Sequence, residues 1–195
     1  MQEIESSEHN WGTMEHNIRI IETLVVREQR ERERLWDIYK DAFERLNRRT
    51  PIHHGGYELS QFDAVLLDED FTKFLVYADD ELVGATLITN VLSKIPWVNA
   101  GYFEDHYPNR YRDGQIYFLP AVVIDPKHQD LRLIGAKLLQ QSLTTLGENV
   151  VLAVDYSETL RNSLPAFVRR GLGRTFKGEI LDRLVYQIFY YENPS

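Results

Sequence analysis

The 195 residues contain no cysteine, which excludes a disulfide framework, a thiol nucleophile and a cysteine-ligated zinc. That absence suits a reducing compartment, so the chain is expected to be cytoplasmic. Basic side chains are also scarce: 22 Lys and Arg stand against 30 Asp and Glu, a net charge of −8. General nucleic-acid binding needs a basic surface to contact phosphates, so it is not expected either. The balance is compatible with a cationic or neutral small molecule. No apolar run approaches the length of a membrane span. The N-terminal MQEIESSEHNWG lacks the profile of a signal peptide and reads as a frayed tail over residues 1–16. Repeats, low-complexity segments and the G-x-S-x-G, Walker and H-E-x-x-H motifs are all missing. His53-His54 precedes Gly55-Gly56 without a third placed ligand, so the pair reads as a turn and no metal site is expected.

What remains is an ordinary globular composition, 43% hydrophobic and 27% charged, long enough for a single domain over 17–195. Ile18 to Val26 is β-branched and roughly alternating, a first strand. Leu35, Ile38, Tyr39, Ala42, Phe43 and Leu46 then repeat at helical steps, giving one apolar face of a helix over 27–47. The REQRERER run that opens this segment alternates in sign and reads as a solvated helix face with i,i+4 pairs. A shorter helix follows near Ser60 to Leu67. Phe71 to Ala78 and Leu82 to Asn90 form two strands joined by a tight turn at Asp79-Asp80. Residues 91–115 show no clear periodicity but are rich in aromatics, and such a long stretch is usually functional. A strand at 116–124, a helix ending at Gly147, a strand at 150–154, a short helix at 160–170 and two strands over 175–191 complete an α/β order.

The most informative segment is Tyr117 to Leu139, YFLPAVVIDPKHQDLRLIGAKLL. It reads as a buried strand, a polar loop with a proline, and a helix with Gly135 in its first turn. That arrangement converges loop N–H groups and the positive end of a helix dipole at the end of a strand, which is a nest for phosphate.

Three segments carry a resemblance to a known superfamily. FLVYADDELVGATLITN is similar to its second and third strands, VVIDPKHQD…IGAKLL to its cofactor motif, and VLAVDYSETLRNSLPAFVRRGLG to the strand and helix that follow. Over roughly residues 18–191 the chain resembles the GNAT acyltransferases. The resemblance implies an α/β fold whose mixed central sheet is flanked by helices, with fourth and fifth strands splayed to admit acyl-CoA. It implies an N-acyltransferase using acetyl-CoA or another acyl-CoA as co-substrate and a small-molecule amine as acceptor. Neither nucleic acid nor membrane is a partner in this reading, and a homodimer is the candidate assembly.

By the same resemblance, the backbone of Val122, Val123 and Ile124 bonds the pantetheine amides. The N–H groups from Gln129 through Asp130, Arg132, Leu133, Gly135 and Ala136 to Lys137 cradle the pyrophosphate. Counting from the strand places Gln129 in the motif's R/Q slot, whereas counting back from Gly135 places Asp130 there. Leu133 stands where glycine is usual, and Arg132 and Lys137 supply compensating charge. The family's usual acid and base fall on Phe167 and Phe118, which carry no titratable group. Tyr156 and Asp155 at the end of the fifth strand, and Glu104 in the aromatic insertion beside Asp105 and His106, are therefore the candidate catalytic residues. Tyr117, which begins the fourth strand, is a further candidate. Two alternatives stay open. One is a longer-chain acyltransferase, akin to acyl-homoserine-lactone or N-acyl amino acid synthases, with Trp97, Tyr102, Phe103 and Tyr107 as an apolar wall. The other is a catalytically silent CoA-binding or interaction module.

Overall fold

The computed structural model describes residues 17–48, 56–128, 134–146, 150–156 and Leu181. Its elements are β1 (Ile18–Thr23), α1 (Gln29–Asn47), α2 (Leu59–Leu67), β2 (Thr72–Ala78), β3 (Glu81–Thr89), α3 (Ala100–His106), α4 (Pro108–Arg112), β4 (Ile116–Ile124), α5 (Ile134–Leu146) and β5 (Val151–Ala153). Single 3₁₀ turns at Leu92–Lys94 and Pro126–His128 lie before α3 and after β4. The expected tail at 1–16, the loop with His53-His54, the helix at 160–170 with Phe167, and the two last strands lie outside the described residues.

One five-stranded sheet runs in the order β1-β2-β3-β4-β5. Its first three pairings are antiparallel, and β4 pairs with β5 in parallel. The β2–β3 hairpin turns through Asp79 and Asp80, both at positive φ, the pair of left-handed residues that a two-residue type I′ turn requires. The central strands β2 and β3 are buried almost throughout, because apolar side chains cover both faces. On one face, α1, α2 and the aromatic insertion pack Leu35, Ile38, Tyr39, Phe62 and Phe103 against Leu75, Ala85 and Leu87. On the other, α5 packs Ile134 and Leu138 against Phe74, Val76 and Val83.

Three expectations change. The first strand ends at Thr23 rather than Val26, because the Thr23 hydroxyl turns back on its own backbone. It donates to Val25 O at 2.9 Å and accepts from Val25 N, and Val26 N–H then bonds Leu66 O at the end of α2. The apparently aperiodic insertion holds two short helices, too brief for a 3.6-residue period to emerge. Asn99 caps the first by accepting from Tyr102 N, and Pro108 opens the second at a position where no N–H is needed.

The third change concerns the charged run. It does more than line a solvated face: only Gln29–Glu33 is an i,i+4 bond among its described pairings. Arg32 donates to Asp63 at 2.6 Å, Glu31 accepts from the Tyr77 hydroxyl at 2.5 Å, and Arg34 reaches Asp125. The alternation of sign could not reveal partners that only tertiary folding supplies.

Candidate functional site

The site is built on an irregularity in β4. Leu87 faces Ala121 and Thr89 faces Phe118, so Leu119 and Pro120 together oppose Ile88. This is a β-bulge, the one kind of interior position where a proline without an N–H is accommodated. The extra residue shifts the phase of the strand. Ile116 and Phe118 face the α1–α2 core before it, Ala121 and Val123 after it, while Tyr117, Leu119, Val122 and Ile124 face α5. A bulge also bends its strand. Parallel pairing with β5 runs from Ile116↔Val151 to Phe118↔Ala153 and stops there. From Leu119 to Ile124 the β4 backbone has no strand on that side among the described residues. The fourth and fifth strands therefore part at the bulge, as expected.

Gly84 keeps the far end of β4 against β3. A Cβ there would lie 2.4 Å from Val123 O and 2.6 Å from the Ile124 side chain. Beyond Ile124, Asp125 fixes the loop. Its N–H bonds Val83 O at 2.7 Å and its carboxylate accepts from Lys127 N at 2.8 Å. The carboxylate is also paired with Arg34, whose guanidinium donates to Leu82 O at 3.2 Å and to Glu81 at 3.0 Å. Burial pushes the Asp125 carboxyl upward, but the Lys127 N–H and Arg34 outweigh it and hold the group below the ordinary carboxylate range. Strand, loop and α1 are thus locked together just before α5.

Helix α5 starts at Ile134, and buried Ile134 and Leu138 pin its first turn to the sheet. Of the expected cofactor residues, Val122 and Ile124 are half-buried and Val123 is buried on the parted length of β4. Gly135 lies half-buried in the first turn of α5, Ala136 follows in the helix, and Lys137 is exposed. Gln129, Asp130, Arg132 and Leu133 lie outside the described residues. Among the described residues, a β4 edge without a strand partner, the Asp125-anchored turn after it and the start of α5 are donors of the kind suited to an extended amide chain ending in phosphates.

Asp155 and Tyr156 come two and three residues beyond the end of β5, the first exposed and the second half-buried. Glu104, Asp105 and His106 are exposed on α3, whose buried side carries Phe103. His106 stacks on Tyr102 at 4.1 Å between ring centroids and bonds Tyr102 O through Nδ1 at 2.9 Å. Phe103 is buried, and Trp97, Tyr102, Tyr107 and Tyr111 pack against the same core. Phe118 is buried in that core as well. Tyr117, on the opposite face, packs half-buried against the α5 core.

The sequence reading missed two tyrosines. Tyr39 had been placed only as part of an apolar helix face, yet its hydroxyl accepts the Tyr57 N–H at 2.8 Å. Burial pushes the Tyr39 phenol up to about 12 against the opposing Tyr57 N–H, with the charge of Asp155 adding to the rise. Burial raises Tyr57 further, followed by Tyr39 and Asp155. Asp155, at the mouth of the parted strands, thus acts on two buried phenols. No local pattern signals this, because Tyr39, Tyr57 and Asp155 come from three distant segments. No group of His, Asp and Glu among the described residues could hold a metal ion. Nor is any helix among them long and apolar enough to cross a membrane.

The mixed sheet of five strands among the described residues, parallel at its parted β4–β5 edge and flanked by helices, has the GNAT acyltransferase fold. Solved structures agree. The chain is similar to an aminoglycoside acetyltransferase from an uncultured soil metagenomic sample, over 88% of this chain and 96% of that one at 13% identity. The TM-score is 0.51 for its sisomicin complex and 0.53 for its trehalose complex. It is also similar to AAC(6')-Iy bound to the bisubstrate analogue CoA-S-monomethyl-acetylneamine, over 89% and 99% of the two chains, at 18% identity and a TM-score of 0.50. No protein-family model matches the chain, and no curated protein matches it in sequence.

Proposed function

We propose that this chain is an acyl-CoA-dependent N-acyltransferase that acylates the amine of a small molecule, with acetyl as the transferred group. The observation that carries the reading is the parting of β4 from β5 at the Leu119-Pro120 bulge, after which the freed length of β4 leads to the Asp125-anchored turn that precedes α5 in the chain. Val122, Val123 and Ile124 would hold the pantetheine arm through their backbone. Gln129, Asp130, Arg132, Leu133, Gly135, Ala136 and Lys137 would surround the pyrophosphate.

The co-substrate supplies an acyl group activated as a thioester. Transfer forms one C–N bond and breaks the C–S bond; the acceptor ammonium loses one proton to a base, and so to solvent, before attack, and the nitrogen loses a second as the amide forms, matched by the one the departing thiolate takes up. The protein's share is placement and proton traffic. Asp155, exposed at the mouth of the gap, takes the ammonium proton directly or through water, and Glu104 is the second candidate for that role. Tyr156, half-buried beside it, gives a proton to the departing thiolate. The protein's Phe118 and Phe167 leave these groups as the titratable residues nearest the assigned chemistry.

The test is a thermal-shift titration with acetyl-CoA, longer acyl-CoAs and free CoA, followed by thiol release over a panel of amines. At a hundredfold excess over Kd a ligand stabilises the native state by about 2.7 kcal/mol, which is readily measured. Stabilisation by none of the three removes the reading. Binding without turnover on any amine assigns a silent CoA-binding module instead, and preference for longer acyl chains assigns the long-chain branch.

A further inference from the structure

Tyr57 is held in place on every side except at its hydroxyl. It precedes the capping box in which Glu58 and Gln61 satisfy each other at the start of α2. Its ring lies 6.2 Å from Phe62 five residues on, a hydrophobic staple that sets how the chain enters the helix. Tyr39 takes its N–H and packs on its ring at 6.2 Å, and Trp97 packs on the other flank at 5.1 Å. The residue is only 5% exposed. Yet its hydroxyl and the indole N–H of Trp97, whose ring packs against its own, are buried without a hydrogen-bond partner among the described residues. Buried donors are nearly always satisfied, and leaving one unmade is costly. Two in contact within one rigidly packed cluster are the mark of a site kept for something else.

The chemistry of the pair defines what that is. An indole N–H only donates, and a phenol donates readily, so both suit an oxygen. Tyr57 and Trp97 belong to the same core cluster as Phe118 and Ala153, the last pair of β4 and β5 before the strands part.

We propose that Tyr57 and Trp97 are specificity-determining residues that take an oxygen of the acceptor, so the acceptor is an amine bearing a hydroxyl or ether oxygen near its nitrogen. The proposal rests on the acyltransferase reading above. Trp97 lies half-buried in a turn outside any helix or strand.

Two probes that differ by one hydroxyl test it: trans-2-aminocyclohexanol and cyclohexylamine, each assayed with acetyl-CoA. The wild type should favour the amino alcohol by at least about tenfold in kcat/KM, the worth of one good hydrogen bond. Tyr57→Phe should cut that preference to about twofold or less and leave the KM for acetyl-CoA unchanged. Trp97→Phe should narrow it in the same direction. Without any ligand, Tyr57→Phe should melt at the same temperature as wild type or about 2–4 °C higher, since it deletes an unsatisfied donor. A preference retained by both variants overturns the proposal, as does a clear fall in the melting temperature of Tyr57→Phe, which would mean that the fold itself satisfies the hydroxyl. Failure of the acyltransferase reading registers separately, as an absence of stabilisation by acetyl-CoA. The two amines' own thermal shifts on wild type and Tyr57→Phe then decide the recognition claim.

Discussion

Replacing Arg34 with methionine should expose how the cofactor loop is held. Asp125 is 5% exposed and Arg34 31% exposed at the side chain, so the pair sits between two regimes. Breaking a buried pair costs about 3–5 kcal/mol because a charge is stranded, whereas an exposed pair contributes at most about 1 kcal/mol. With one partner buried and the other a third open, about 2 kcal/mol is expected at pH 7, or roughly 4–8 °C in Tm for a domain of this size. Asp125→Asn should cost less, because the amide oxygen still accepts from Lys127 N and Arg34 keeps Glu81 and Leu82 O.

The pH dependence separates this account from a simple loss of packing. In the wild type the Asp125 carboxyl titrates below its ordinary value. Its contribution is therefore present above the unfolded carboxyl pKa of about 3.9 and is lost as the pH falls through the folded value. Without Arg34, burial is opposed mainly by the Lys127 N–H, so the folded carboxyl takes up its proton at higher pH. The gap between variant and wild type should then shrink from pH 7 toward pH 4.5 in urea titrations followed by tryptophan fluorescence. Acetyl-CoA affinity should fall about tenfold at pH 7, because the same loop leads into α5. A loss below about 0.5 kcal/mol, or one that does not change with pH, refutes the reasoning.

Gly84→Ala drives a methyl group into Val123 O, so a destabilisation of about 1–3 kcal/mol is expected, with weakened acetyl-CoA binding by calorimetry; unchanged stability would show that β3 and β4 separate freely there. Lys73 is fully buried, donates to Leu24 O at 2.7 Å and Asp68 O at 2.5 Å, and is pushed down to about 8, chiefly by burial. Between pH 8 and 9.5 the unfolded chain holds that proton while the folded chain releases it, so stability should rise with pH in denaturant melts, and Lys73→Met should abolish the rise. Tyr156→Phe should lower kcat by about a hundredfold or more with acetyl-CoA KM unchanged, as expected for a lost general acid; full activity would remove Tyr156 from that role. Asp155→Asn should flatten the acidic limb of the kcat/KM–pH profile, and a limb that persists would transfer the base role to Glu104.

Where local chemistry decides the structure, the sequence was readable. Asp79-Asp80 between two apolar strands foretold a hairpin, and the turn takes the double positive φ that short polar residues tolerate. The fourth strand was legible to the residue, 116–124, because its Ile, Val and Phe content is flanked by Gly114-Gln115 and Asp125-Pro126. Its bulge was not legible. Pro120 looked like one more apolar residue, and only the pairing with Ile88 shows that two residues share one partner. Yet that proline marks the parting, since the pairing of β4 with β5 ends at Phe118, just before the bulge. Charge was harder still. Arg32, Arg34 and Glu31 have the spacing of an ordinary solvated helix, and their partners Asp63, Asp125 and Tyr77 lie 31, 91 and 46 residues away.

The same reasoning bears on the proposed site, where Phe118 and Phe167 stand in the slots the family resemblance gives to a base and an acid. A catalytic group is defined by where its atom sits, and the parted strands define that place from three directions. Phe118 and Ala153 close the narrow end, where β4 and β5 still pair. Asp155 and Tyr156 emerge just past it. Tyr39 from α1 and Tyr57 from the approach to α2 belong to the same buried cluster as Phe118 and Ala153. Phe118 is buried in the core at the last pair of β4 and β5. Sequence comparison position by position tests the wrong variable there, because the fold can deliver a phenol or a carboxylate to one point from several elements. Under the proposal above, the phenol of Tyr57, buried and without a partner among the described residues, is one group delivered in that way.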